Sequence, residues 1–183
     1  MRPVAIEERK CWRWWVTPKP LVGKPIHRWY IFPHSFASEL VLALIDEWGL
    51  TPDDRILDPF AGAGTTLVAA KERGIPATGY DLSPLAVLTA QVKTADYKTD
   101  RLRDLSRDLW SHLRQGIQPA RRSGRNYPNL VRQALPGKLL GVFDALDRSI
   151  SALNVAGLNA TKEERNFFRL ALLATIPEYS RAV

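Results

Sequence analysis

The sequence contains a single cysteine, Cys11, so no internal disulfide can form and a reducing, cytoplasmic setting is expected. It contains no run of eighteen apolar residues, which excludes a membrane-spanning helix. The opening residues MRPVAIEERKCWRWW have no apolar stretch followed by a small-residue cleavage site, so a secretory signal is not expected. No internal repeat is present. Acidic residues are missing between Asp108 and Asp144, an interval that carries Arg114, Arg121, Arg122, Arg125, Arg132 and Lys138.

What is there suits one soluble domain, or one domain plus an appendage: 183 residues, 45% hydrophobic and 25% charged. The net charge of +7 is uneven. Residues 1–95 hold 11 Lys/Arg against 10 Asp/Glu, whereas 96–183 hold 15 against 9. A polyanion partner would account for this, and so would a solvated arginine-rich loop.

Residues 1–33 crowd Trp12, Trp14, Trp15 and Trp29 among Pro18, Pro20, Pro25 and Pro33. Prolines at that density exclude a long helix or a central strand, so the segment is expected to be irregular and packed through its aromatics. SFASELVLALIDEWGL predicts a helix capped by Ser35 or Ser38 and stopped by Gly49. A short strand near 55–58, a helix ending at Gly74, a strand at 77–80 and a helix capped by Ser83 with Pro84 in its first turn follow. That β-α-β-α order over 34–95 predicts an α/β fold with a parallel sheet and right-handed crossovers.

Beyond residue 96 the pattern is helical. Leu102, Leu105, Leu109 and Leu113 share one face, as do Leu139, Phe143, Leu146, Ile150 and Leu153. A last helix opens with a capping box, Thr161 to Glu164, and its nearly continuous apolar run predicts deep burial. No strand is expected after Tyr80. A two-stranded parallel sheet is not stable by itself, so the chain is expected to begin a doubly wound fold and leave it incomplete.

The segment RILDPFAGAGTTLVAA places two glycines between a strand and a helix. Such a turn lets backbone approach a ligand and aims the helix N-terminus at it. Asp81 lies 17 residues past Gly64, at the end of the next strand, where a carboxylate can accept hydrogen bonds from ribose hydroxyls. GAGTT lacks the lysine of a phosphate-binding loop, and Leu67 stands where a dinucleotide site wants a third glycine. The remaining nucleoside-type ligand is S-adenosylmethionine.

DPFAGAGTTLVAA followed by GIPATGYDLSPLAV resembles the cofactor motif of amino-group DNA methyltransferases, which modify exocyclic nitrogens of adenine or cytosine. Asp58–Thr66 matches the family pattern without a gap, GYDLSP matches its acidic loop, and HRWYIFPHSFASELVLALI resembles the element preceding the motif. The resemblance covers about residues 25–92 and implies an incomplete Rossmann-like methyltransferase fold followed by a helical insertion. It implies that Asp58 lies near the amino group of S-adenosylmethionine, and that Phe60 and the backbone of Ala61–Gly64 (Ala61, Gly62, Gly64) wall its pocket. Thr65 and Thr66 would cap the helix behind, Asp81 would bind the ribose, and Leu82 and Ser83 would lie beside the adenine. His27, Phe32 and Ser35 would face the methionine end. For His27 a hydrogen-bonded place in an aromatic cluster competes equally.

The family's catalytic tetrapeptide, Asp/Asn/Ser-Pro-Pro-Tyr/Phe, grips a base flipped out of the duplex. No Pro-Pro pair occurs in these 183 residues, and Ile176–Ser180, with one proline and one tyrosine, falls in a predicted helix. The chain is therefore expected to be the cofactor-binding part of a DNA methyltransferase, truncated or completed by a second polypeptide, and inactive alone. Its DNA partner would be held partly by Arg121, Arg122 and Arg125; no metal site and no membrane partner are expected. An RNA base methyltransferase and a non-catalytic cofactor- or DNA-binding module remain open readings.

Overall fold

The computed structural model describes residues 8–114, 127–135 and 137–179. Arg121, Arg122 and Arg125 lie outside the described residues. The chain divides into two units, Met1–Thr94 and Ala95–Val183. Each is a mixed arrangement of helices with a two-stranded sheet.

The first unit begins, as the prolines require, without long elements: three 3-10 turns at Lys10–Trp12, Lys19–Gly23 and His27–Trp29. Helix α1 follows at Ser38–Glu47 and ends before Gly49, whose φ is +61°. Its N-cap is Ala37, with no side-chain cap bond, so neither Ser35 nor Ser38 plays the expected part. Ser35 lies short of the helix start, and Ser38 is buried as its first residue.

Strand β1 (Ile56–Asp58), helix α2 (Thr65–Glu72), strand β2 (Ala77–Gly79) and helix α3 (Pro84–Thr94) complete this unit. The two strands pair in parallel, Ile56 opposite Ala77 and Asp58 opposite Gly79. The Ser83 hydroxyl accepts from the Ala86 amide at 3.4 Å, which caps α3 as its sequence predicts. Val41 and Ile45 of α1 pack on Ala69 and Ala70 of α2 and on Ile75, with Ile56 and Ala77 of the sheet against them. Alanines on α2 let the neighbouring backbone come close, so a short helix still forms a dry contact.

The second unit holds helices α4 (Thr99–Arg114), α5 (Asn129–Ala134), α6 (Gly137–Ser151) and α7 (Lys162–Tyr179). Its core joins Leu105, Ile150, Leu153 and Ala160, with Leu109, Phe168 and Leu172 against them. The buried face of α6 runs through Leu140, Gly141, Asp144 and Ala145; Leu139, Phe143 and Leu146 of the expected stripe are half-buried. The reason is a buried polar anchor: Asp144 accepts a 2.6 Å hydrogen bond from the Tyr127 hydroxyl.

Two further expectations fail in this unit. A small antiparallel hairpin, β3 (Asn154–Val155) and β4 (Leu158–Asn159), occurs where no strand was expected. Its two-residue turn, Ala156–Gly157, has φ of +53° and +77°, the pattern that matches the twist of a tight hairpin. Alanine is rarely found there, so the sequence carried only half of the usual signal. The capping box of α7 forms reciprocally, Thr161 amide to Glu164 Oε2 at 2.8 Å and Glu164 amide to Thr161 Oγ1 at 3.2 Å. The helix is not deeply buried, however. Among its described residues Leu170 alone is buried; Ala171 is exposed and the other apolar residues of the run are half-covered.

Candidate functional site

The site is built where β1 and β2 end side by side. The Tyr80 amide donates to the Asp58 carbonyl and the Ala61 amide to the Tyr80 carbonyl, both at 2.9 Å. The Asp58 side chain turns back to accept from the Phe60 amide at 3.0 Å, which fixes the start of the loop. The Gly64 amide then donates to the Ala61 carbonyl at 2.8 Å, and α2 begins.

Asp81 ties the two strand ends together. Its Oδ2 accepts from the Gly62 amide at 2.9 Å and its Oδ1 from the Ser83 amide at 2.8 Å. Those amides, Ser83 first and Gly62 second, hold the carboxyl below its ordinary range, so it is ionised at neutral pH. Each oxygen keeps lone-pair capacity for a further donor. On either side stand side chains with nothing to cover them: Phe60 is 87% exposed, and Leu82 is fully exposed. A carboxylate between two bare apolar groups suits a sugar diol flanked by an aromatic base.

The two glycines of the turn serve different ends. Gly62 (φ +50°) has no atom closer than 4.0 Å to where a side chain would begin, so its open side is free for a ligand. Gly64 (φ +81°) is different: a Cβ there would lie 2.9 Å from Cα and Cβ of Ala90. Gly64 thus allows α3 to press against the turn; it does not clear space for a ligand. Ala61 and Ala63 are buried, and contribute backbone.

Thr65 and Thr66 do not cap α2. The N-cap is Gly64 in the left-handed region, and Thr65 is the first helical residue, buried. His27 is placed elsewhere. It is 1% exposed, and its Nε2 lies 3.8 Å from Glu72, the last residue of α2. A helix of eight residues rises about 12 Å, so His27 sits at the end opposite the glycine turn. Neither of its ring nitrogens has a hydrogen-bond partner among the described residues. Burial first, then Lys93 and Lys24, pulls its pKa down to about 4. It is a neutral buried residue that the structure does not bring to the glycine turn, and it lacks the ring hydrogen bond of the aromatic-cluster alternative among the described residues. Phe32 and Ser35 are held locally, Phe32 against the Tyr30 ring at 5.4 Å and Ser35 through its amide to the Phe32 carbonyl.

A cleft of about 110 Å³ opens between Gly62, Tyr80, Asp81, Ala90 and Gln91. Ligand pockets usually reach some 300–1,000 Å³, so these residues alone can only partly enclose a nucleoside. Tyr80, Ala90 and Gln91 were not marked by the sequence. They reach the cleft from the end of β2 and from α3, positions that only the fold brings to the turn.

The family model described as DNA methylase matches residues 7–92. The chain is 43% identical over 72 residues to Type II methyltransferase M.BsoBI of Geobacillus stearothermophilus, covering 39% of this chain and 14% of that protein. It is 30% identical over 160 residues to Type II methyltransferase M.AvaI of a Nostoc species, covering 87% of this chain and 32% of that protein. A shorter match, 34% over 60 residues, is to the tRNA (guanine(10)-N2)-dimethyltransferase of Methanothermobacter thermautotrophicus, covering 33% of this chain and 18% of that protein. The chain thus spans a third or less of the length of these relatives. No solved structure matches.

Proposed function

Since the chain belongs, through residues 7–92, to the N6/N4 amino-methyltransferase family of DNA methylases, we propose that it binds S-adenosylmethionine at the β1–β2 strand ends. In this reading residues 34–95 form the first part of a Rossmann-like domain, preceded by the irregular segment 1–33 and followed by a helical insertion at 96–183. The observation that carries it is the Asp81 carboxylate, held by the Gly62 and Ser83 amides between exposed Phe60 and Leu82.

The residues fit the cofactor's nucleoside. Asp81 accepts from the ribose hydroxyls, and charge-assisted bonds of this kind are about twice as strong as neutral ones. Leu82 and Phe60 cover the base, Ser83 keeps the loop on α3, and the open side of Gly62 admits the sugar. Asp58, with one oxygen engaged by the Phe60 amide, keeps the other for the cofactor's amino group. Bound there, S-adenosylmethionine supplies an activated methyl group for an exocyclic nitrogen of adenine or cytosine in DNA. This chain's own residues orient it and shield one side from water, and positioning is a large part of such catalysis.

No Pro-Pro pair is present, so further protein segments, in the same or a second polypeptide, supply the grip on the target base and the rest of the pocket. Restriction-modification is the setting that fits Type II relatives. Arg121, Arg122 and Arg125 contribute phosphate contacts, which add affinity without sequence preference. The match to a tRNA dimethyltransferase supports a second reading, a base methyltransferase acting on RNA. The first is favoured because the M.AvaI match, at 160 residues, extends through both units.

The test is transfer of label from S-adenosylmethionine to duplex DNA or to RNA. The 183-residue chain should show none alone, and should label DNA when mixed with a Pro-Pro-Tyr- or Pro-Pro-Phe-bearing segment of the family. Robust labelling by the chain alone would refute the division of labour, and labelling of RNA only would select the second reading.

A further inference from the structure

Between Glu8 and Glu39 there is no acidic residue, yet Arg9, Lys10, Arg13, Lys19, Lys24 and Arg28 all fall there. Some of that charge is internally used: Arg9 pairs with Glu47, and Lys24 with Glu39 at 2.8 Å. Among the described residues, Arg13, Lys19 and Arg28 face no carboxylate, and all three are exposed.

The same stretch exposes an aromatic. Trp14 is 58% exposed, although a large apolar ring gains by burial. The Lys19 ammonium lies 5.1 Å from its ring centroid, and Arg13 is its neighbour in the chain. The segment is held in place from below: Leu21 is buried, Trp12 and Trp15 meet at 6.0 Å, and the Trp15 carbonyl accepts from the Ala37 amide at 2.7 Å. The Thr17 hydroxyl closes the turn on the Trp14 carbonyl at 2.9 Å. Trp14 is therefore presented on a fixed backbone, with the Lys19 cation against it and exposed Arg13 next to it in the chain. Exposed Trp110 on α4 stands beside Arg107, whose charge Asp104 takes up, and exposed Arg114.

We propose that Arg13, Trp14 and Lys19 form a contact surface for an unpaired stretch of nucleic acid, with Trp14 stacking on a base and the cations on flanking phosphates. Aromatic rings beside basic groups are the usual means of holding single strands, because every base has a face to stack and every nucleotide a charge. The proposal rests on the reading of this chain as acting on nucleic acid. It supplies a place for strand that pairing no longer holds once a base has been extruded.

Fluorescence anisotropy of the 183-residue chain with a labelled twelve-nucleotide oligo(dT), and with a duplex of equal length, tests it. The single strand should bind. Trp14→Ala should weaken that binding about tenfold or more, Trp14→Phe should keep most of it, and the duplex should be affected less. Arg13→Gln with Lys19→Gln should lower the salt slope by about 0.7 for each phosphate that is no longer neutralised. Absence of binding to the single strand, equal binding after Trp14→Ala, or an unchanged slope would overturn the proposal, as would binding to phosphatidylserine vesicles in place of the oligonucleotide. S-adenosylmethionine binding, measured on the same samples, separates the two claims: if it persists while the strand test fails, only this surface is refuted.

Discussion

The amide of Gly62 donates to Oδ2 of Asp81 at 2.9 Å, so the turn after the first strand is fastened to the end of the second. One carboxylate both shapes the site and remains available within it. Asp81→Ala should therefore weaken S-adenosylmethionine binding about ten- to a hundredfold, the usual cost of removing a charge-assisted hydrogen bond. It should also lower the melting temperature, because the Gly62 and Ser83 amides lose their acceptor. Calorimetric titration and a thermal melt on the same sample check both. Since the folded pKa of Asp81 is depressed, its contribution is present above the ordinary carboxylate range and is lost as pH falls below it.

Gly62 and Gly64 should respond differently to alanine. Gly64→Ala forces a Cβ to within 2.9 Å of Ala90 and into the left-handed region, so the fold should lose several kcal/mol, with overpacking alone costing about 1–3. Gly62→Ala meets no close atom, and should cost about 1–2 kcal/mol from its φ of +50° while weakening the cofactor more than the fold. Urea melts compared with binding isotherms would show the split. Equal destabilisation by the two variants would contradict it.

Buried His27 makes stability depend on acid. Its folded pKa of about 4 lies below the ordinary 6.5, so the unfolded chain binds the extra proton first. Stability should fall as pH drops from about 6.5 to 4, by up to about 3 kcal/mol. Lys93 and Lys24 oppose a charge on the ring, and Glu39 favours one. His27→Leu should flatten this dependence and cost little at pH 7, because neither ring nitrogen has a hydrogen-bond partner among the described residues. Chemical denaturation across that pH range measures it.

In the second unit, Tyr127→Phe removes the 2.6 Å hydrogen bond to buried Asp144. Loss of a hydrogen bond to a buried polar group should cost about 1–3 kcal/mol and lower the melting temperature by several degrees. An unchanged melt would mean that this bond does not anchor α6.

The β-α-β-α order of the first unit was legible because Gly49, Gly74, Ser83 and Pro84 punctuate it and leave only short segments for the strands. Asp58, Gly62 and Asp81 were legible as a group, since a glycine turn and an acid at the next strand end are local signals. The place of His27 was not legible. Its position follows from tertiary packing against the end of α2, which no spacing encodes. Nor could the sequence divide the labour of the two glycines, because Gly64 answers to Ala90, 26 residues away. The offset on α6 has a similar origin: a buried aspartate that periodicity assigns to the solvent side is held inside by a tyrosine from before α5.

The most direct measurement is a calorimetric titration of the 183-residue chain with S-adenosylmethionine, with ATP and NAD titrated in parallel. The expected result is one S-adenosylmethionine site per chain and no competition from either nucleotide. A folded chain that takes up no S-adenosylmethionine, or that binds ATP or NAD equally well at the Asp81 loop, would contradict the cofactor assignment.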